Sequence, residues 1–226
     1  GDESAFATLL TNEDNGQILI TDQNLVVDSG TVNVNTANDL DGITDGIVTA
    51  SIATDTTVDS LATLTGTNAY TITIAASDAT GSTASELTAI DNATSVTVDV
   101  SAITSIEGTY GEITALYGSS GVSGFGDENI TITGDSLTVE EANAIDLLTT
   151  GVVTASIVTT ETVDSLKTLT GTNAYTIVIS DTTASASDLN AINGLTTATV
   201  DLTNVTSVTS SALSDLDTLA TAISDQ

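Results

Sequence analysis

Residues 46–52, Gly-Ile-Val-Thr-Ala-Ser-Ile, open a stretch of sequence that occurs twice in this chain. The stretch continues through Thr57-Val-Asp-Ser-Leu61 and Leu64-Thr-Gly-Thr-Asn68 into Ala69-Tyr-Thr-Ile-Thr-Ile74. It returns 105 residues later (151 − 46 = 105) as Gly151-Val-Val-Thr-Ala-Ser-Ile157, Thr162-Val-Asp-Ser-Leu166, Leu169-Thr-Gly-Thr-Asn173 and Ala174-Tyr-Thr-Ile-Val-Ile179. Internal repetition on this scale predicts a repeat architecture.

The alignment extends beyond this stretch and divides the chain into three parts. We predict a partial N-terminal unit at residues 1–23, a first long repeat at 24–128 and a second long repeat at 129–226. Each long repeat resolves into four shorter modules of roughly 22 to 27 residues, a period typical of strand-helix solenoids. The predicted strands begin near Leu25, Val48, Tyr70, Val96, Ile130, Val153, Tyr175 and Ala198. A Gly/Ser-rich loop at residues 118–126 is expected to join the two long repeats.

Within a module the apolar period changes from that of a strand to that of a helix. Residues 175–179 alternate as in a strand, whereas Leu189, Ile192 and Leu195 follow helical spacing. We therefore predict an α/β fold: a right-handed strand-helix solenoid of the leucine-rich-repeat kind, with a parallel sheet and about eight modules. Its core is expected to consist of Val, Ile, Leu and Ala, with Tyr70 and Tyr175 as the largest side chains.

Helix ends also carry sequence signals. Thr138-Val-Glu-Glu141 predicts a capping box. Thr57, Thr162 and Ser187 predict simpler N-caps. Four glycines are expected to end helices as left-handed C-caps, namely Gly66, Gly151, Gly171 and Gly194. Near the N-terminus, residues 4–10 predict one or two helical turns and residues 17–20 a short strand.

The charge balance limits the classes of partner. The chain has 31 acidic residues and one basic residue, Lys167, for a formal net charge of −30. Nucleic acids and anionic membranes bind clustered Lys and Arg, so the composition excludes both as partners. The acids are spread along the chain and indicate a folded surface that salt or divalent cations would screen. This composition is typical of an extracellular or cell-surface protein.

Alternation within the predicted strands places hydroxyl side chains on the outer face of the sheet. This set, which we call the hydroxyl face, consists of Thr49, Ser51, Thr71, Thr73, Thr97, Thr131, Thr133, Thr154, Ser156, Thr176 and Thr199. Thr is a good strand former at a solvated surface, which by itself explains the pattern. The alternative is an ordered array that binds ice or a regular polysaccharide. Asp99 and Asp201 are expected to interrupt the array.

An active site in this chain would have to use carboxylates and hydroxyls, because His and Arg are absent. Glu107 and Glu112 flank a Gly-Thr-Tyr-Gly turn, and glycoside hydrolysis needs two carboxyls roughly 5 to 10 Å apart. Adjacent Glu140 and Glu141 are better explained by the first turn of a helix. A Ser or Thr nucleophile would lack a conventional base. We therefore expect no enzymatic activity.

Metal binding is predicted to be diffuse. Asn38-Asp-Leu-Asp-Gly42 with Asp45 resembles part of a calcium loop but lacks its terminal Glu and full ligand spacing. The corresponding Asn143-Ala-Ile-Asp-Leu147 keeps one acid. We therefore expect no dedicated cofactor, and at most weak, diffuse Ca²⁺ binding by the acidic surface.

The run from Thr104-Ser-Ile-Glu-Gly-Thr-Tyr-Gly111 to Gly124-Phe-Gly-Asp-Glu-Asn129 resembles a unit of giant secreted or cell-surface proteins of marine cyanobacteria. Residues 130–139 and 146–151 resemble the same unit, and the resemblance covers residues 24 to about 220. It implies a surface location and a structural or adhesive role, and it brings no catalytic residues. The expected partners are neighbouring repeats, further copies of the chain and surface polysaccharide.

Overall fold

The computed structural model describes residues 3–75, 80–210 and 212–224, which form helices and short strands in alternation. The helices of the described ranges are α1 Glu3–Asp14, α2 Val34–Gly42, α3 Val58–Leu61, α4 Ala84–Ala93, α5 Tyr110–Tyr117, α6 Val139–Asp146, α7 Val163–Leu166, α8 Ala186–Asn193 and α9 Leu213–Ser224. The strands are β1 Leu25–Val26, β2 Val48–Ser51, β3 Ala69–Thr71, β4 Ser82–Thr83, β5 Val98–Asp99, β6 Ser105–Gly108, β7 Val122–Ser123, β8 Asn129–Leu137, β9 Val153–Ile157, β10 Ala174–Val178, β11 Thr183–Ser185, β12 Val200–Asp201 and β13 Ser207–Thr209. The protein is therefore α/β, as predicted.

The strands pair in parallel, which is the arrangement predicted for strands connected by helices. One sheet has six strands in the order β12-β10-β9-β8-β6-β4, and another has three in the order β1-β2-β3. Two-stranded sheets are formed by β11 with β13 and by β5 with β7. By contact density the chain divides into two compact units: Gly1–Ile106 with Glu112–Phe125, and Glu107–Gly111 with Gly126–Gln226.

The core contains the side chains that the periodicity predicted. Tyr70 and Tyr175 are fully buried and are its largest members. Each Tyr hydroxyl donates a hydrogen bond to a helix carbonyl, Tyr70 to Ala37 at 3.2 Å and Tyr175 to Ala142 at 3.3 Å. A strand side chain is thereby joined to a helix carbonyl 33 residues earlier in the chain.

Three of the four predicted N-caps are confirmed. Thr138 and Glu141 form the reciprocal capping box, and Thr57 and Thr162 cap the four-residue helices α3 and α7. The prediction for Ser187 is wrong. Because Thr183–Ser185 is a strand, the cap of α8 is Ser185, whose hydroxyl accepts the Asp188 N–H at 3.1 Å.

The glycine predictions are partly wrong. Gly66 and Gly171 are left-handed, with φ of 70° and 69°, but they lie several residues beyond the ends of α3 and α7. Gly194 caps α8 in the right-handed conformation, with φ of −71°. Gly151 is not left-handed; a Cβ there would collide with the Glu128 carbonyl oxygen, so close backbone approach requires this glycine.

Two segments near the ends of the long repeats also differ from prediction. Residues 17–20 form bends and coil rather than a strand, and helix α1 is longer than the predicted turns. The segment 118–126 is not only a loop, because β7 within it pairs with β5. Helix α5, immediately before it, was not predicted.

Candidate functional site: the hydroxyl face

Every residue of the hydroxyl face contacts solvent. Nine of the eleven are exposed, and Ser51 and Thr131 are half-buried. The residues that alternate with them, such as Ala50 and Ala155, are buried beneath. Strand alternation therefore presents hydroxyls outward and aliphatic side chains inward, as predicted.

In the first long repeat, three of these side chains form a row across neighbouring strands. Ser51 of β2 is in register with Thr71 of β3. Two isolated bridges, Asn68 with Thr94 and Thr73 with Asp99, have the same 26-residue spacing (94 − 68 = 99 − 73 = 26). This spacing places Thr97 opposite Thr71, so Ser51, Thr71 and Thr97 form one row with about 4.8 Å between strands.

The second long repeat has the equivalent row with Ser136 added at one end, and the bridge of Val32 with Ile52 places Thr31 at the same position of the first row. Ser136 pairs with Ser156, and Ser156 pairs with Thr176. Asn173 pairs with Thr196 and Ile177 with Val200, both at a spacing of 23 residues (196 − 173 = 200 − 177 = 23). Thr199 therefore lies opposite Thr176 and completes a row of four hydroxyls. The sequence prediction missed Ser136, because a register shift in β8 hides its alignment with β9.

The two aspartates lie beside these rows rather than within them. Asp99 is in register with Thr73 and Ser123. This position is two residues further along the strands than Thr71 and Thr97. Asp201 is in register with Val178 and lies two residues further along its strand than Thr199. Asp99 therefore interrupts the array at Thr73, as expected, but neither aspartate interrupts the rows through Thr71 and Thr176.

Both aspartates are held ionised by local hydrogen bonds. The Asp99 carboxylate accepts the Ser101 N–H at 2.9 Å, and that of Asp201 accepts the Thr203 N–H at 2.8 Å. These bonds to the charged form hold the pKa of each carboxyl below its ordinary value. Each hydroxyl row is consequently flanked by a fixed negative charge.

The remaining members of the face are less regular. Thr131 pairs with Thr154 in a short second row, but Thr49 faces Val26 and Ala69. Thr133 falls within the register shift of β8 and has no partner in the β8–β9 ladder. The ordered part of the hydroxyl face is therefore the pair of equivalent rows.

The segment that resembled a calcium loop has a different role. The Asp41 carboxylate accepts hydrogen bonds from the Thr65 hydroxyl at 2.7 Å and from the Asn68 amide at 2.8 Å. Asn38 accepts the Thr65 N–H at 2.9 Å and donates to the Thr63 carbonyl at 2.9 Å. The oxygens of this segment therefore bind groups that lie 24 to 27 residues further along the chain.

The second long repeat repeats this arrangement at a shift of 105 residues. Asp146 accepts bonds from Thr170 and Asn173, both at 2.7 Å, and Asn143 accepts the Thr170 N–H at 2.8 Å. Asn173 also accepts the Val153 N–H at 2.8 Å, as Asn68 accepts that of Val48. We call each set the polar clip: Asn38, Asp41, Thr65 and Asn68 in the first long repeat, and Asn143, Asp146, Thr170 and Asn173 in the second.

The polar clips also influence the buried tyrosines. Burial, with a smaller contribution from the nearby charge of Asp146, raises the pKa of Tyr175 to about 12. Burial and Asp41 raise the pKa of Tyr70 in the same way. Both phenols are therefore protonated donors at all ordinary pH values.

Two depressions of the described surface lie beside helix N-termini and are lined largely by polar residues. One, of about 510 Å³, is lined by residues that include Glu140 and Glu161. The Glu161 carboxylate accepts the Val139 N–H at 2.9 Å and the Ser165 hydroxyl at 2.6 Å, so it binds a free N–H at the start of α6. A second, of about 470 Å³, contains Asp181, which accepts the Val163 N–H at 2.9 Å.

The carboxylates considered for catalysis are both on the surface. Glu107 lies in β6 and Glu112 in the first turn of α5, and both are exposed. Across residues 3–75, 80–210 and 212–224, no group of three or more His, Cys, Asp or Glu side chains is placed to hold a metal ion. In the same ranges, no helix has the length and hydropathy needed to cross a membrane.

Comparison with known proteins adds no relative to these observations. No protein-family model, no curated protein and no solved structure matches this chain.

Proposed function

We propose that this chain is a non-catalytic structural or adhesive repeat segment of a large bacterial extracellular surface protein. In this proposal the strand-helix modules stack as a right-handed solenoid of about eight modules. Each module covers the apolar face of its neighbour, which a module of this size cannot bury alone. The partners would be neighbouring repeats, other copies of the chain and surface polysaccharide.

The observation that carries the proposal is the duplicated polar clip. Its bonds join residues 20 to 27 positions apart, which is about one module length. Asn68 and Asn173 are each 2% exposed, so these bonds satisfy groups that would otherwise be buried without partners. Polar side chains at these positions thus serve cohesion between modules.

The charge supports a location outside the cell. A net charge of −30 on 226 residues opposes compaction by self-repulsion unless ions screen it. Sea water or a medium rich in divalent cations would provide this screening over distances beyond roughly 3 to 10 Å. The proposal also includes weak, diffuse Ca²⁺ binding by the acidic surface. It excludes nucleic acid and anionic membranes as partners.

Deletion of one long repeat tests the stacking. Removing residues 46–150 takes out 105 residues and leaves 121 (226 − 105 = 121), with Asp45 joined to Gly151. Since Gly46 and Gly151 are equivalent, this junction preserves the module register. We expect the 121-residue protein to keep its far-ultraviolet circular dichroism per residue and to unfold cooperatively.

A deletion of similar length provides the control. Removing residues 46–138 joins Asp45 to Val139, so a segment that should enter strand β2 enters a helix instead. We expect this protein to be unfolded or aggregated. Loss of structure in both deletions, or retention in both, would contradict stacking of interchangeable modules.

The second candidate function is recognition of ice or a regular polysaccharide by the hydroxyl face, which is supported by the two equivalent rows. A glycan array and an ice-shaping assay would separate this function from a pure spacer, which should be negative in both. Replacement of Thr176 with Tyr should abolish any signal, because a bulky side chain would break the flat row. Asn92→Tyr, on the exposed side of α4, is the matched control.

A further inference from the structure

The outer strand of the six-stranded sheet, β12, lacks a neighbour that its counterpart in the first long repeat has. At a shift of 102 residues (201 − 99 = 102), β12 Val200–Asp201 is equivalent to β5 Val98–Asp99. Strand β5 pairs with β7, which follows it in the chain. In the described part of the chain, β12 stands at the end of its sheet and pairs with β10 alone. One edge of β12 is therefore open to a further strand.

This open edge presents backbone donors. In the first long repeat, the N–H groups of Val98 and Val100 donate to carbonyls of the β7 segment, both at 2.8 Å. The equivalent donors are the N–H groups of Val200 and Leu202. Since the Asp201 carbonyl accepts its bond from β10, the residues on either side of Asp201 direct their N–H groups to the opposite, open edge. We call residues 200–202 the tail edge.

Apolar side chains at and after the tail edge are less buried than their counterparts. Four positions of the first long repeat are at most 2% exposed, namely Val98, Val100, Ile103 and Ile106. Their counterparts in the second long repeat are half-buried or exposed, namely Val200, Leu202, Val205 and Val208. The same apolar pattern is thus covered where further strands follow and uncovered at the tail edge.

A segment near the start of the first long repeat has the complementary defect. Residues 16–20, which we call the head segment, are equivalent to residues 121–125, which contain β7 (121 − 16 = 105). The sequence pattern predicts a strand here, but the segment forms bends and coil, with Ile18 41% and Leu19 79% exposed. Strand β7 has β5 beside it, whereas no strand of the described ranges pairs with the head segment. The head segment therefore lacks a partner strand of the β5 type.

We propose that the tail edge of one copy of this chain binds the head segment of a second copy as a parallel strand. The first long repeat identifies the occupant, because there the counterpart of the head segment already lies against the counterpart of the tail edge. By that register, Asp201 of one copy lies opposite Ile18 of the next, as Asp99 lies opposite Ser123. The two surfaces differ, so the contact is heterologous and propagates into a filament unless it closes as a ring.

Helix α1 competes with this contact. It precedes the head segment as α5 precedes β7, and α9 follows β13 as α5 follows β6. Helices α1 and α9 therefore correspond to the same position of a module, and α1 must move aside when a second copy brings its α9. Among the described side chains of α1, Phe6 alone is buried, so few contacts hold this helix in place.

The inference rests on the proposed structural function, since it names the surfaces by which copies of the chain would associate. It adds a direction, head to tail, and a competing element, α1. Two copies that each carry a net charge of −30 also repel each other, so the association should strengthen with salt.

Disulfide trapping on the full chain tests the proposal, because the protein has no cysteine of its own. Ile18→Cys and Asp201→Cys chains that differ in tag mass are mixed with oxidised glutathione in about 1 M NaCl, where charges beyond about 3 Å are screened. This pair should give a mixed dimer about tenfold faster than Ile18→Cys with the exposed control Asn92→Cys, because pairing raises the local thiol concentration. Phe6→Asp in the Ile18→Cys chain should accelerate trapping further, because it releases α1.

A proline provides the control within the tail edge. Val200→Pro in the Asp201→Cys chain removes an N–H group that points to the open edge, which an edge strand tolerates. This variant should keep the circular dichroism of the parent chain and trap no faster than the Asn92→Cys control.

Equal trapping by the Asp201→Cys and Asn92→Cys chains would overturn the proposal. Trapping that survives Val200→Pro, or Ile18→Cys chains that trap each other as fast as they trap Asp201→Cys, would overturn it as well. Failure of the proposed structural function is recognised separately, by unfolding of the protein that lacks residues 46–150. A folded full chain without head-to-tail dimers contradicts this inference alone.

Discussion

The two long repeats preserve the same internal hydrogen bonds but differ in charge at equivalent positions. The polar clip of Asp41 and Asn68 recurs with Asp146 and Asn173, and its bond lengths agree within 0.1 Å. In contrast, Lys167 replaces Ala62. Contacts that satisfy buried backbone groups are therefore shared, whereas surface charge varies between the repeats.

A second charge difference occurs where a strand begins. The Gln23 amide oxygen accepts the N–H groups of Thr21 at 2.9 Å and Asp22 at 3.4 Å. The equivalent Glu128 carboxylate accepts those of Gly126 at 2.9 Å and Asp127 at 3.1 Å. The Gln23 amide and the Glu128 carboxylate thus accept equivalent backbone N–H groups in the two long repeats.

Removal of the clip asparagines should have the largest effect. In Asn68→Ala, the Val48 N–H and the Asp41 carboxylate lose a buried partner, and each such loss costs about 1 to 3 kcal/mol. We expect the free energy of unfolding to fall by about 2 to 5 kcal/mol, and by a similar amount in Asn173→Ala. Urea denaturation of both variants would measure these losses.

Asn92→Ala is the control, because Asn92 is exposed on α4 and its replacement should change stability by less than about 0.5 kcal/mol. A loss in one clip variant that exceeds the other by more than about 2 kcal/mol would show that the two clips are not energetically equivalent.

Replacement of a buried tyrosine should have an intermediate effect on stability, and this effect should depend on pH. Because the pKa of Tyr175 is raised to about 12, its stabilising contribution is complete below pH 10 and is lost between pH 10 and 12. Tyr175→Phe should cost about 1 kcal/mol at pH 7, where the bond to Ala142 is lost. Above pH 10, the variant should lose stability less steeply than the wild type.

Thermal unfolding at pH 7, 9, 10 and 11 would measure this difference. The bonds of Lys167 to Asp188 and Asp164, which raise its pKa, also weaken at alkaline pH. They are present in both proteins, so their effect on stability cancels in the comparison. Tyr70→Phe should behave in the same way, since its hydroxyl bonds an equivalent carbonyl. Parallel alkaline profiles for Tyr175→Phe and the wild type would contradict the prediction.

The sequence pattern predicted the elements whose signals are local. Strands near Tyr70 and Tyr175 follow from alternation, and the capping box of Thr138 follows from a four-residue motif. The strand at residues 122–123 was missed because Gly and Ser dominate residues 118–126 and hide the period. Here pairing with β5 decides the structure, and that is a tertiary effect. Helix α5 was missed because its first residues were interpreted as part of a Gly-Thr-Tyr-Gly turn, although Ile113 and Leu116 are buried at helical spacing.

The candidate site was predictable as a face but not as rows. Alternation identifies which Thr side chains point outward, yet register between strands depends on the number of residues in each connection. The position of Asp99 beside the row through Thr71 therefore required the structure. The polar clip was missed because Asn38 and Asp41 resemble metal ligands in sequence, and their partners lie a module away.

The smallest effect should come from exchanging the acceptor that differs between the repeats. Glu128 is 2% exposed, and its carboxylate binds two backbone N–H groups. Because Gln23 makes the equivalent bonds with an amide oxygen, Glu128→Gln should change the free energy of unfolding by less than about 1 kcal/mol at pH 7, since both N–H groups keep an acceptor. Glu128→Ala should cost about 1 to 3 kcal/mol, since both N–H groups lose their acceptor. Urea denaturation of both variants checks this; equal losses would mean that the negative charge itself, rather than an oxygen acceptor, stabilises this turn in the second long repeat.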